Sequence, residues 1–414
     1  MLEFTPGKLM RKILALAVLV IAATAGAFFY YARGSHLSWS DLIAFPAGSP
    51  TVGVLSGDPL ARLGLTAADV KGEASDSGIR YLGKSKYLNG ARAVVTHTID
   101  DSTKFIPDSL NAMDKYGIKA TVFVSTERVP IAQLWPRLQQ AIGNGHEIGS
   151  HSRRHQCQWP DTFGFCFRAY TDYEISGSRD DILKNTDQPY VWSWCYPCGN
   201  CATQEFAHRK LARAGYLVAR NYPGEAQDRH NLPNLQTYDD DVYNATYTQT
   251  VQKRGGIAKS GHTDVPALNA KFDEVYQGGG IYNFMSHPQW LDFGADQFYE
   301  RHLAYVGGRS DVWYVPMGPL YAYRTIREKT EVGWLDSKDA KARLAVYNNL
   351  DAKAYPASIT LEFAAPAGVQ ILAGGKPLIE RAAGPTDRWD SSYFRRSGAT
   401  VLVTVPPNTI LEFR

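Results

Sequence analysis

ARAVVTHTIDD, residues 91–101, is a β-rich run that ends in two adjacent aspartates. Beyond it, IPDSLNAMDKYG (106–117) has helical apolar spacing and stops at Gly117, and IKATVFVST (118–126) is a second β-rich run. Strand, helix and strand in succession predict a β-α-β unit. A second cycle follows: a helix at about 131–143, the stop GNG, and the strand-like HEIGS (146–150). A parallel sheet with helical crossovers is the architecture such repetition produces. Further candidates are a helix around Gln204 to Ala214, the strand YLVAR (216–220) and the apolar strand GIYNFMSH (280–287), and the pattern runs to about 326.

Outward from this block the texture changes. Residues 34–88 are rich in Gly, Ser, Pro and Ala and read as a linker or irregular covering segment. From 332 to 414, short alternating runs (ARLAVYNN, SITLEF, VQILAG, TVLVTV, NTILEF) lie between Pro, Gly and Asn turns. They predict a small C-terminal β-sandwich, packed on the larger domain or acting as a carbohydrate-binding module. At the other end, Ile13 to Ala32 is uncharged and almost wholly apolar, and it follows Lys8, Arg11 and Lys12. About 20 such residues span a bilayer, and upstream positive charge keeps the N-terminus in the cytoplasm. Residues 1–33 are therefore expected to be a signal anchor or transmembrane segment, with all that follows in the periplasm or outside the cell. Ala25-Gly26-Ala27 resembles a signal-peptidase site, and cleavage there would make the protein secreted.

The 414 residues carry 44% apolar and 21% charged side chains, an ordinary globular composition, and allow one large domain with a smaller one. A net charge of +3 with no long basic block excludes the electrostatic footprint of a nucleic-acid partner. Five cysteines in an exported chain point to disulfides with one thiol left over. Cys157 and Cys166 flank one loop, and Cys195, Cys198 and Cys201 form CxxCxxC. A bacterial iron–sulfur run would need a further Cys near Glu205, so disulfides are preferred, with connectivity open.

Three pieces carry chemistry. Asp100 and Asp101 close a strand, where one carboxylate can ligate a metal while its neighbour acts as general base on water. Alone, an Asp pair is more often a turn or a helix cap. His151 and His155 stand at i and i+4, a spacing that puts two imidazoles on one face of a helical turn and lets both reach one ion. His287 ends an apolar strand just before Pro288, placed to titrate near neutrality as a general acid.

Taken together, in this order and spacing, these pieces resemble the polysaccharide deacetylase family, whose fold is the NodB homology domain of carbohydrate esterase family 4. Thr98-Ile99-Asp100-Asp101 resembles its TFDD motif, EIGSHSRRH its HxxxH motif, and SHPQW its final His motif. The resemblance spans roughly 90–325 and assigns residues 89–328 to a deacetylase domain. It implies a distorted (β/α) barrel and one divalent metal on Asp101, His151 and His155, zinc first, with cobalt, nickel or iron as alternatives. It also implies Asp100 as base, His287 as acid to the departing amine, and a backbone N–H near Cys198 for the oxyanion. The implied activity removes acetyl groups, N-acetyl before O-acetyl, from an extracytoplasmic polysaccharide. One motif departs: Cys195-Tyr196-Pro197-Cys198-Gly199 has Cys where the family has an Arg that pairs with the base. Arg153, Arg154 and Arg220 are candidate replacements, and Asp228 or Asp239 could tune the catalytic His. The substitution at Cys195 keeps a rival in view, a membrane-anchored carbohydrate-binding pseudoenzyme of the same fold.

Overall fold

The computed structural model describes residues 52–72, 78–158, 162–202, 204–220, 242–246, 265–291, 293–337, 340–382 and 388–414. The expected membrane segment, Asp228 and Asp239 lie outside them; among the described residues no helix is long and apolar enough to cross a membrane. The chain runs through β1 (Arg80–Lys84), β2 (Ala93–Ile99), α1 (Ile106–Lys115), β3 (Ala120–Val124), α2 (Ile131–Gly143) and β4 (Glu147–Ser150). It continues with α3 (Phe163–Ala169), α4 (Asp172–Asn185), β5 (Ser193–Cys195), α5 (Glu205–Arg213), β6 (Val218–Arg220), β7 (Val242–Thr246) and α6 (Val265–Gln277). Then come β8 (Ile281–Ser286), α7 (Phe298–Val306), β9 (Val312–Tyr314) and α8 (Met317–Lys329). The remainder is all strand: β10 (Glu331–Leu335), β11 (Ala342–Tyr347), β12 (Ile359–Ala364), β13 (Ile371–Ala373), β14 (Lys376–Pro377), β15 (Tyr393–Ser397), β16 (Thr400–Val405) and β17 (Thr409–Phe413).

Every residue of β2, β3, β4 and β8 is buried, as strands covered on both faces must be, which is why they read as continuous rather than alternating apolar runs. They belong to an eight-stranded sheet ordered β6-β5-β4-β3-β2-β8-β7, with β9 paired to the start of β2. All its pairings are parallel. The mixed α/β, parallel architecture anticipated from 91–101 is present; among the described residues β6 and β7 are not paired, so the curled sheet stays open rather than closing into a full barrel. At the C-terminus of α1, Gly117 takes φ +71°, and the Ile118 N–H returns to the Met113 carbonyl at 3.0 Å, a helix stop for which glycine is the default residue.

Two features lock the strands together near the site. A Cβ at Gly149 would lie 2.6 Å from the Phe123 ring and 2.7 Å from Ser193 Oγ, so only glycine lets β4 sit between β3 and β5. Glu147 is buried and accepts from Thr121 Oγ1 (2.7 Å), Ser193 Oγ (2.6 Å) and the Gly318 N–H (2.8 Å), tying three strands to α8. Burial still pushes its carboxyl above the ordinary range, against the pull of those donors.

The register places chemistry at one edge. Ile99 pairs with Ser286 and Val122, Val124 with Ser150, Ser150 with Trp194, and Cys195 with Arg220. The C-terminal ends of β2, β4, β5, β6 and β8 therefore lie side by side, the edge where sites gather in parallel α/β folds.

The C-terminal strands form two antiparallel sheets, β1-β12-β16-β15 and β10-β11-β17-β13-β14, in ring contact through Phe363 and Phe413 (centroids 4.9 Å). One of these strands, β1, comes from the stretch read as linker or covering segment, which corrects that reading for residues 80–84. RYLGK alternates weakly and carries Gly83, and the ladder it makes with β12, about 280 residues away, is invisible locally. A continuous buried core runs from β2 and α1 into β12, β16 and β17. Polar contacts fasten the same junction, from Tyr323 Oη to the Ser85 carbonyl (3.0 Å) and from Trp192 Nε1 to the Ala354 carbonyl (2.8 Å).

Candidate active site and metal centre

Asp101 follows β2 directly and has φ +69°, a left-handed conformation that costs a non-glycine residue energy unless its surroundings hold it. Ser152 (+64°), His155 (+54°), Cys198 (+54°) and Cys201 (+66°) share that conformation, so five of the seven such non-glycine residues described belong to the loops of this edge. Strain so concentrated marks a surface whose geometry is held for use.

His151 and His155 do not lie on a helical turn, contrary to the reading of their spacing: residues 151–158 form an irregular loop. The loop's backbone groups are claimed from outside. Glu174 Oε2, on α4, accepts the N–H groups of Arg153 and Arg154, both at 3.0 Å. The carbonyls of Ser152 and Arg153 accept from Thr126 (3.2 Å) and Glu127 (2.9 Å), and Ser152 Oγ accepts from the His155 N–H (2.9 Å). With those groups taken, no i→i−4 ladder forms, and the left-handed residues bring the two rings together by another route. Their centroids stand 4.6 Å apart at 72°.

Both rings face Asp101. Its Oδ1 lies 3.1 Å from His155 Nε2 and 3.9 Å from His151 Nε2, and one nitrogen from each His with one carboxylate oxygen fall within 4.8 Å of one another. His151 Nδ1 is 2.9 Å from the Cys195 carbonyl, an acceptor only, so Nδ1 carries the proton and Nε2 offers its lone pair towards Asp101. Burial pushes the His151 imidazole down to about 3, which keeps it neutral as a ligand must be. Burial opposes the charge on Asp101, but the His155 hydrogen bond and the neighbouring imidazoles hold its carboxyl well below the ordinary range. Two imidazole nitrogens and an ionised carboxylate are a donor set suited to a catalytic divalent metal. Another cluster of potential ligands, His155 with Cys157 and Cys198, is excluded while those two sulfurs are bonded to each other.

Asp100 is 2% exposed, and its carboxylate pairs with the guanidinium of Arg220, which has no exposed surface. Of the three candidate cations, Arg220 is the one that reaches it: Arg153 forks onto Asp181 (2.8 and 2.8 Å) and Arg154 binds Glu174 (2.5 Å). Burial raises the Asp100 carboxyl, but Arg220, His287 and His151 outweigh it and leave the group below the ordinary range. His287 ends β8 with Nε2 at 4.0 Å from both Asp100 Oδ2 and Asp101 Oδ2. Burial also lowers its pKa, against the two aspartates. All five site residues singled out in the sequence are thus within one pocket-sized cluster.

The cysteines pair as Cys157–Cys198 and Cys166–Cys201, and Cys195 is the buried free thiol. The two bridges fasten the segment after His155 to the turn after β5, with Cys157 Sγ 3.5 Å from His155 Nδ1. Three contributors escaped sequence reading. Gln289 Nε2 (2.8 Å) and Arg128 Nη1 (3.3 Å) donate to Asp101, and Glu174 organises the His loop. Gln289 sits two residues beyond His287, a spacing that could have flagged it; Arg128 and Glu174 carry no local signal. Glu174 is fully buried and also accepts from Gln156 Nε2 (3.0 Å), so Glu174→Ala strands two backbone donors and an arginine. We expect it to cost about 3–5 kcal/mol of stability, as breaking a buried ion pair does. It should also weaken metal affinity by roughly 10–100-fold, through loss of ligand support. Thermal unfolding and metal titration of the variant read both effects.

Residues 88–219 match the family model described as Polysaccharide deacetylase. That segment contains Asp100, Asp101, His151, His155 and Cys195; Arg220 and His287 follow it. No curated protein matches. Among solved structures, a Mycobacterium smegmatis protein described as a polysaccharide deacetylase is 15% identical, covering 60% of this chain and 94% of its own, with a TM-score of 0.40. The allantoinase Puue is 13% identical (57% and 91% covered, TM-score 0.40), and a family 4 carbohydrate esterase from Streptomyces lividans 14% (52% and 85%, TM-score 0.31). Likeness at this level adds nothing about activity. By this match the segment 88–219, less than half of the chain, is similar to the polysaccharide deacetylase family, and the match supports a hydrolase of that type.

Proposed function

We propose that this protein removes acetyl groups, N-acetyl first, from a polysaccharide outside the cytoplasm, with Asp101, His151 and His155 as the ligands of one divalent metal. The observation that carries the reading is the convergence of two neutral-capable imidazoles and an ionised carboxylate beside a second, separately held carboxylate. Bound there, a divalent metal would polarise the acetyl carbonyl and make a water molecule acidic near neutral pH. Asp100, kept ionised, takes a proton from the attacking water. His287, whose Nε2 lies 4.0 Å from Asp100 Oδ2, passes the proton that Asp100 took from water to the departing amine nitrogen as the tetrahedral intermediate collapses, so that a neutral amine leaves. Gln289 and Arg128 hold the Asp101 carboxylate in place.

Export is supported by the apolar run Ile13–Ala32 and by the two disulfides, which persist in oxidising compartments. We assign the two C-terminal antiparallel sheets to a β-sandwich accessory module that packs on the catalytic part. The rival pseudoenzyme rested on Cys195, and the cation missing there is met by Arg220. The test is acetate release by the full chain from a panel of acetylated glycans, metal-loaded against chelator-stripped. Metal-dependent release on any of them is the expected result. A folded, metal-loaded protein that binds glycan and releases no acetate would instead make the rival correct.

A further inference from the structure

We infer that Cys195 and Arg220 are a transposed pair: the guanidinium that fixes the catalytic carboxylate has moved one strand along the sheet, from β5 to β6, and leaves Oδ2 of Asp100 as its working oxygen. This rests on the deacetylase reading and adds the device that orients its base.

Three observations carry it. The first is register. Cys195 and Arg220 are direct partners in the parallel β5–β6 pairing, each the last residue of its strand, so their side chains leave the sheet on the same face, one strand apart. A long side chain from either position can therefore enter the same space at the end of β2. The second is occupancy. Arg220 Nη2 passes 3.1 Å from Cys195 Sγ on its way to Asp100 Oδ1, and Cys195 Sγ lies 3.7 Å from Asp100 Oδ2. The guanidinium fills the room in front of residue 195, and only a small side chain there leaves space for it. The third is rigidity. Arg220 Nη1 contacts Met285 Sδ at 2.8 Å, and the guanidinium lies over the Phe123 ring at 5.3 Å, so a sulfur and an aromatic face both hold the planar group.

The consequence is a division between the two oxygens of Asp100. Oδ1 is taken by Arg220; Oδ2 faces the Cys195 thiol and His287, 4.0 Å away. Arg220 touches neither substrate nor the reacting atoms and is a positioning residue.

Reciprocal exchange in the full, metal-loaded chain tests this. Arg220→Cys alone should lower kcat about 100-fold, the scale of a misplaced catalytic group, with KM within about threefold and metal stoichiometry unchanged. Cys195→Arg alone should do as much damage, because two buried guanidiniums then face one carboxylate. The double variant Cys195→Arg/Arg220→Cys should recover kcat to within about tenfold of the wild type. If Arg220→Cys does not fold, Arg220→Lys supplies the reading: it keeps the charge and loses the fork, and kcat should fall about tenfold. The inference is overturned by wild-type kcat in Arg220→Cys or Arg220→Lys, or by a double variant no better than its parents. A merely structural Arg220 would lower the unfolding temperature and leave the kcat of the folded fraction alone. A wild-type protein that holds metal and releases no acetate overturns the deacetylase reading itself, a result distinct from either.

Discussion

Asp100→Asn is expected to lower acetate release by at least about 1,000-fold, within the range that removal of a general base produces. The amide keeps the shape and one carbonyl oxygen for Arg220, but it cannot take a proton from water. The same change removes the negative charge facing a fully buried guanidinium, and weakening a buried pair costs about 3–5 kcal/mol when a partner is lost. Two measurements separate these effects. Turnover should be read well below the variant's unfolding transition, and bound metal counted in the same sample, since Asp101, His151 and His155 remain intact. A folded, metal-loaded Asp100→Asn with turnover within about tenfold of wild type would remove Asp100 from the role of base and leave water to be activated elsewhere.

Most of this site could be read from the sequence because its residues end strands. A parallel sheet brings strand C-termini to one edge whatever the loop lengths, so Asp100-Asp101, His151 and His287 had to converge once β2, β4 and β8 were recognised. What stayed hidden depends on side chains meeting across long separations. The Arg220 contact needs the β5–β6 register, and YLVAR taken alone has nothing to distinguish its final residue from Arg153 or Arg154. Glu174 reads as an acidic first-turn residue of a helix, a position where carboxylates are common for dipole reasons, and its task becomes visible only when the His loop folds over it. Helical spacing misled at His151 and His155: i, i+4 brings rings together on a helix, but two left-handed residues, Ser152 and His155, and borrowed hydrogen bonds bring them together here without one. The pairing of the four cysteines needed coordinates, since spacing permits several connectivities.

Asp101→Ala should be the more drastic of the two aspartate changes, because it acts one step earlier. Asp101 is the carboxylate both imidazoles face, and His155 Nε2, His151 Nε2, Gln289 Nε2 and Arg128 Nη1 all converge on its two oxygens. Without it, the remaining ligands are two imidazole nitrogens with no negative charge to offset a dication. Metal binding should fall below detection by titration, and acetate release should match that of chelator-stripped wild type. In metal-free protein, the His155 hydrogen bond and the neighbouring imidazoles hold the Asp101 carboxylate against the cost of its burial, and Arg220 and Asp100 satisfy each other with or without a metal. The wild type should gain thermal stability when metal is added, by the linkage of binding to folding, and Asp101→Ala should not. An Asp101→Ala protein that still binds one metal per chain and still releases acetate would move the centre elsewhere, and Asp100, His151 and Cys195, whose ligand atoms also lie within 4.8 Å of one another, would be the group to test next.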